Sequence, residues 1–223
     1  MQTKISFDLP DSTLRIGFLE AFNINVKPST EKYQQTITKD IEEMLKPGYA
    51  YPDNMQKGVR SLLKTFGFHP SGRSRPASEY LFKDLTNRGS FNYINNIVDI
   101  NNHISLKYKL PISVFDLDKS GFDLCLRVGG ETEEYVFNKE GQILTLKKLL
   151  LVAKTGAEAI GTPVKDSQAT KVFEPTKKIA FFVYSSSNIT PKEEMEKILN
   201  EIGKYLQEEA GATDIATAVL DAK

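Results

Sequence analysis

The sequence predicts an α+β fold, with N-terminal helices followed by a β-rich half and one C-terminal covering helix. Three observations carry this. Before residue 110 apolar residues recur at helical spacing in successive segments. From 112 to 185 the pattern changes to short runs rich in β-branched and aromatic residues. Residues 190–211 then form the cleanest amphipathic pattern in the chain.

Taken in order, "KISFDL" (4–9) reads as a strand, and the Gly- and Phe-containing stretch up to "FNINV" receives no element. Residues 29–46 read as a helix with Ile37, Ile41, Met44 and Leu45 on one face, ended by Pro47-Gly48. Residues 53–67 repeat the pattern with Val59, Leu62, Leu63 and Phe66. A third helix is expected over 74–85, opened by Ser74 with Pro76 in its first turn, and a fourth from residue 92 to about Leu110. "ISVFDL" and "FDLCLRV", separated by "DKSG", predict a hairpin. Further strands are expected at "EYVFN", "LLLVA", "AEAIGTPV", "TKVF" and "KKIAFFVYS". In the last helix Thr190 and Glu193 suggest a capping box with Pro191 at the first helical position, and Gly211 is the stop. "DIATAVLD" (214–221) is a candidate closing strand.

The chain has 223 residues, 40% of them hydrophobic, with Lys+Arg 29 against Asp+Glu 29. That composition is globular, and residues 1–223 are expected to form a single domain. Zero net charge argues against a strongly basic nucleic-acid binder but leaves room for local basic patches. Cys125 is the sole cysteine, so no intrachain disulfide can form, and with only His69 and His103 a Cys/His zinc site is nearly excluded. No metal or cofactor is expected. The N-terminus shows no secretory pattern and the longest apolar run, "LLLVA", is far too short for a bilayer, so the expected setting is cytoplasmic, away from membranes.

Most motifs dissolve on inspection. "GFHPSGRS" (67–74) approaches a phosphate-binding loop, but Arg73 replaces the lysine and a helix precedes it where a strand is required. "DLDKSG" (116–121) opens like a calcium loop, yet Arg127 stands at its twelfth position. Cys125, between Leu124 and Leu126, reads as a buried, inert thiol. Two features remain. Arg73 and Arg75 flank Ser74 at a helix start, which makes either an anion site or a pair of exposed arginines. In "NYINNIVDINNHISLKYKLPISVFDLDKSG" (92–121), Asn95, Asp99, Asn102 and Lys109 share a stripe beside the apolar face. Amides both donate and accept, so the stripe suits ribose and base recognition, or else it ties down neighbouring loops.

The order of these pieces resembles the B3/B4 domain of the bacterial phenylalanyl-tRNA synthetase β subunit. That family shows a V-D-x-x-N-Y-V helix, a G-Q-P-x-H-x-F-D-x-D-K turn and strand, and then an apolar strand ending in Arg. Here the same order reads Val98-Asp99 with Asn102, then "LPISVFDLDK", then "FDLCLRV". "SRPASEYL" is similar to the S-R-x-R-P-S-S-E of free-standing members. The likeness is strongest over residues 60–187.

The resemblance implies an editing-type domain that binds the tRNA 3′ end and hydrolyses the ester of a mischarged amino acid, acting in trans. The alternative is a non-catalytic module binding tRNA, an amino acid or nucleotide, or a protein. No catalytic residue is assigned. Asn95, Asp99, Asn102, Ser113, Asp166, Ser167 and Thr170 are expected to line the substrate pocket, with Ser113 facing the Asn stripe. Arg73, Arg75, Lys165 and Lys171 are expected to take phosphates. The family's His falls on Ser113 and its hydroxyl-reading Glu near Phe182, while Gly161 survives from its glycine-rich strand. The amino acid, the tRNA, the role of residues 1–50 and the oligomeric state stay open.

Overall fold

Nine residues without a sequence assignment, Leu14–Phe22, form the strand around which the protein is built. The structure, a computed structural model, describes residues 1–10, 12–72 and 74–222. The elements run β1 (Lys4–Asp8), β2 (Leu14–Phe22), α1 (Glu31–Ile41), α2 (Asp53–Thr65), α3 (Ala77–Arg88), α4 (Asn96–Tyr108), β3 (Ile112–Asp116) and a single helical turn α5 (Leu117–Ser120). They continue as β4 (Asp123–Val128), β5 (Glu134–Val136), β6 (Ile143–Thr145), β7 (Leu150–Lys154), β8 (Ala159–Gly161), β9 (Lys178–Ser186), α6 (Lys192–Ala210) and β10 (Asp214–Asp221). No described helix is long and apolar enough to cross a membrane.

The strands divide between two main sheets, β10-β2-β9-β3 and β1-β4-β7-β8, plus the β5-β6 ribbon. The first is antiparallel throughout, whereas β1 joins the second parallel to β4. Period-two alternation sorts side chains between layers. Leu19, Ala21, Ile179, Phe181, Val183, Ile112 and Val114 face the helices, where they meet Ile97, Ile100 and Ile104 of α4 and Met195, Ile198, Leu199 and Ile202 of α6. Ile16, Phe18, Phe115, Ala180, Phe182 and Tyr184 face the second sheet and pack on Leu124, Leu126, Leu150 and Val152. A third cluster on the far side of that sheet, including Leu144, Leu146, Leu151 and Ala153, lies under the β5-β6 ribbon. The α6 backbone can settle on β2 because Gly17 has no side chain, since a Cβ there would lie 2.4 Å from Met195 Sδ.

The expected hairpin at "DKSG" is a crossover instead. β3 and β4 lie in different sheets, joined by α5 and by Gly121 at φ 78°. All five β3 residues are buried, so the strand has a covered face on each side, with Phe115 in the same apolar cluster as Leu124 and Leu126 of β4. The Asp116 carboxylate accepts from Asp118 N at 3.0 Å and from Thr176 Oγ1 at 2.7 Å and pairs with Lys119 at 3.0 Å, a turn held by its own side chains.

Other differences are local. α3 begins at Ala77, with Pro76 at the cap. "TKVF" forms no strand, and the Ile143–Thr145 strand carries no sequence assignment. The capping box at α6 is absent because Thr190 Oγ1 instead bonds Ser185 Oγ at 2.5 Å, and Pro191 occupies the cap. Cys125 is half-buried rather than buried.

The helix α4 begins only at Asn96, and its Asn content is largely architectural. Asn95 Oδ1 accepts from Val98 N at 2.9 Å as the N-cap. Asn96, fully buried, accepts from Lys27 N at 3.1 Å and donates to Asn25 O at 2.9 Å and Glu209 O at 3.0 Å. It thereby ties α4, the loop before α1 and the end of α6. Asn96→Ala is expected to leave those buried groups unpaired and lower stability by about 3 kcal/mol, read from urea midpoints. A loss below about 1 kcal/mol would contradict this role.

Candidate functional site

β3, β9 and the turn after β8 bring three polar side chains together between the main sheets. Ser113 Oγ donates to Asp166 Oδ1 at 2.6 Å and accepts from Tyr184 OH at 3.1 Å. Thr162 N donates to the same carboxylate oxygen at 3.3 Å. Ser113 and Tyr184 are both 1% exposed. The Asp166 residue is half-buried overall, its carboxyl points inward, and burial pushes its pKa up to about 7 against the opposing bonds from Ser113 and Thr162 N. Burial, then the nearby Asp166 charge, holds Tyr184 well above the usual phenol range.

The turn is self-supporting. Thr162 Oγ1 donates to Lys165 O at 2.8 Å and accepts from Val164 N and Lys165 N. Ser167 N bonds Ile160 O at 2.9 Å, and Thr170 Oγ1 donates to that same carbonyl at 3.3 Å. Gly161 is required by close approach, because a Cβ there would lie 2.4 Å from the Phe115 ring and 2.5 Å from Asp166 Oδ1. Beside the turn opens a cleft of about 530 Å³, lined by Tyr135, Val136, Ser167 and Gln168 and by the carboxylates Glu133, Glu134 and Glu158, with Ser113 and Asp166 behind its wall.

The sequence-predicted residues thus fall in separate places. Ser113, Asp166, Ser167 and Thr170 gather around this turn. Asn102 lines a small groove between α3 and α4 that holds neither Ser113 nor Asp166. The single pocket expected from sequence is not formed, because Ser113 faces the second sheet while α4 covers the other face of β3. Asp99 is fully buried and accepts from Ser29 Oγ at 2.6 Å and Ile94 N at 2.8 Å, so it anchors the start of α4. Lys109 is turned inward, donating to Leu106 O at 2.5 Å, and burial lowers its pKa to about 8.

Lys171 Nζ donates to Phe137 O at 2.6 Å, and Lys165 Nζ sits 3.7 Å from the Phe137 ring centroid, so both cations hold the segment after β5. Arg75 Nε donates to Gly72 O at 2.8 Å, and Arg73 lies outside the described residues. Phe182 is fully buried, 5.2 Å from Phe18 and 5.7 Å from Phe115 between ring centroids. Sequence reasoning passed over Tyr184, although its position two residues after Phe182 puts it on the same strand face.

A layered α+β protein with a buried Ser–Asp pair at a strand-end turn is the class that fold and site define. Residues 69–209 match the B3/4 domain model, and the chain belongs to that family. It is 27% identical over 209 residues to the phenylalanine–tRNA ligase beta subunit of Fusobacterium nucleatum, covering 92% of this chain and 25% of that one. It is 32% identical over 98 residues to the corresponding Listeria monocytogenes subunit, covering 43% and 12%. The chain therefore spans about a quarter or less of these relatives. An N-terminal fragment of the phenylalanyl-tRNA synthetase beta subunit from Pyrococcus horikoshii shares the fold, with TM-score 0.50 and 11% identity, covering 99% of this chain and 55% of that one.

Proposed function

We propose that the chain binds the aminoacylated 3′ end of tRNA and hydrolyses the ester of a mischarged amino acid in trans, at the cleft beside the 162–170 turn. The observation that carries this reading is the Asp166 carboxyl, buried, poised near pH 7 and bonded to Ser113 at the position of the family's His. Water adds to the ester carbonyl carbon, and Asp166, next in sequence to Ser167 of the cleft wall, takes the water's proton once its carboxyl turns from the interior toward the cleft. The bond to the ribose oxygen breaks, that oxygen regains the proton, and the free amino acid leaves. Ser113 orients Asp166 from within, and the Ser167 hydroxyl in the cleft wall is a donor for the developing oxyanion.

A panel of aminoacyl-tRNAs incubated with the protein tests this. At least one is expected to lose its amino acid well above its blank, and Ser113→Ala is expected to slow it. If no member of the panel does so, the hydrolase reading fails. A non-catalytic binding module is the second reading. It is favoured by the Phe182 ring, which fills the interior with apolar contacts near where the family places its hydroxyl-reading Glu. On that reading the protein binds tRNA while no ester is cleaved.

A further inference from the structure

Outside the 162–170 turn, one surface combines exposed aromatic, cationic and amide groups. Tyr80, 53% exposed, projects from α3 at a cleft of about 450 Å³ that Arg75, Lys83, Asp84 and Asn87 also line. Lys83 is exposed and has no ion-pair partner among the described residues. Arg75 is fixed through Nε to Gly72 O, and its terminal nitrogens have no partner among the described residues. Among the described residues the one carboxylate of the cleft lining, Asp84, is paired with Arg88 at 2.8 Å, so the patch they form is net cationic.

Asp84 also borders the groove that holds Asn102, where Ser90 and Asn92 are exposed. The polar surface therefore runs from Arg75 along α3 to the amides of α4. Its other end reaches the 162–170 turn, because Ala77 N at the start of α3 donates to Pro163 O at 2.8 Å.

We propose that this α3 surface is an exosite for single-stranded RNA, with a base stacked on Tyr80, phosphates on Arg75 and Lys83, and base or ribose edges read by Asn87 and Asn102. The chemistry fits unpaired RNA because an exposed ring offers a face to any base, while cations on either side follow the backbone. A duplex hides its base faces, and so gains nothing from Tyr80. The hydrogen bond at Pro163 sets the start of α3 beside the turn that carries Asp166, so the two surfaces adjoin. The exosite goes beyond the proposed hydrolysis and does not require it.

The test is fluorescence anisotropy of a labelled, unstructured oligoribonucleotide that carries no esterified amino acid, with the whole chain, in low and moderate salt. Tyr80→Ala is expected to weaken binding roughly tenfold or more, while Tyr80→Trp retains it. Lys83→Ala is expected to reduce the slope of log affinity against log salt by about 0.7. Circular dichroism of the variants checks that the fold is kept, which substitutions at exposed positions should preserve. Absence of binding in low salt, Tyr80→Ala binding within twofold of the parent, or equal Tyr80→Ala losses for duplex and single strand would each overturn the exosite. Deacylation is read separately on aminoacyl-tRNA, so an inactive protein that still binds RNA through Tyr80 rejects the hydrolase and keeps the exosite.

Discussion

Asp166→Asn is expected to cut ester hydrolysis by roughly 100-fold or more, the usual contribution of a positioned general base. It should also change how stability depends on pH. The folded carboxyl titrates near 7, above the ordinary 3.8. A raised acid binds its proton more tightly in the folded state, so its stabilising contribution is complete below about pH 4 and is lost as pH rises through 7. The expected loss in the parent protein is of order 4 kcal/mol across that window. In Asp166→Asn the amide oxygen can still accept from Ser113 and Thr162 N, and this decline should flatten. Urea denaturation at a series of pH values measures it. Parallel curves for the two proteins would show that Asp166 is not a buried neutral acid.

Gly161→Ala is expected to lower stability by about 3 kcal/mol, because the added carbon would sit within 2.5 Å of both the Phe115 ring and Asp166 Oδ1. Neither neighbour can retreat freely. Phe115 is packed against Phe182, and Asp166 is bonded to Ser113. Gly156→Ala is the matched comparison. Gly156 has φ +70° with nothing within 4 Å of a Cβ, so only the backbone penalty of about 1 kcal/mol applies. Equal midpoints for the two variants would contradict the close approach at Gly161.

Elements with one covered face were legible in the sequence. α2, α6 and β10 carry clear patterns, and the structure places them where the patterns lie, while β9, covered on both faces, was read from its continuous apolar run instead. β2 was not legible. It is covered on both faces, and it carries Arg15 and Glu20, which look like surface charges. Arg15 in fact pairs with Asp221, while Glu20 is 1% exposed and accepts from the backbone N–H groups of Gln2 and Thr3. The same two-sided burial hid the sheet assignment of β3, because a strand with both faces apolar does not announce its neighbours.

The site was legible by resemblance more than by pattern. Likeness to the family drew attention to Ser113 and to the segment around Asp166, but not to Tyr184. Helical spacing put Asn95, Asp99 and Asn102 on one stripe. It could not tell that the first two are engaged at the helix start while Asn102 lines the α3 groove. Tyr80 was invisible because a single exposed aromatic has no periodic signature.

The position of β2 bears on the order in which the molecule can assemble. Both of its sheet neighbours, β9 and β10, arrive late in the chain, and the Arg15–Asp221 pair joins residues 206 positions apart. During synthesis the apolar stripe of α4 emerges before β9 and α6, two of the elements that cover it. Closure of such distant pairings is slow, and the exposed intermediates are prone to associate with one another. A nascent chain of this protein therefore passes through a stage in which its helices are made but their floor is missing, and chaperone dependence is expected at that stage.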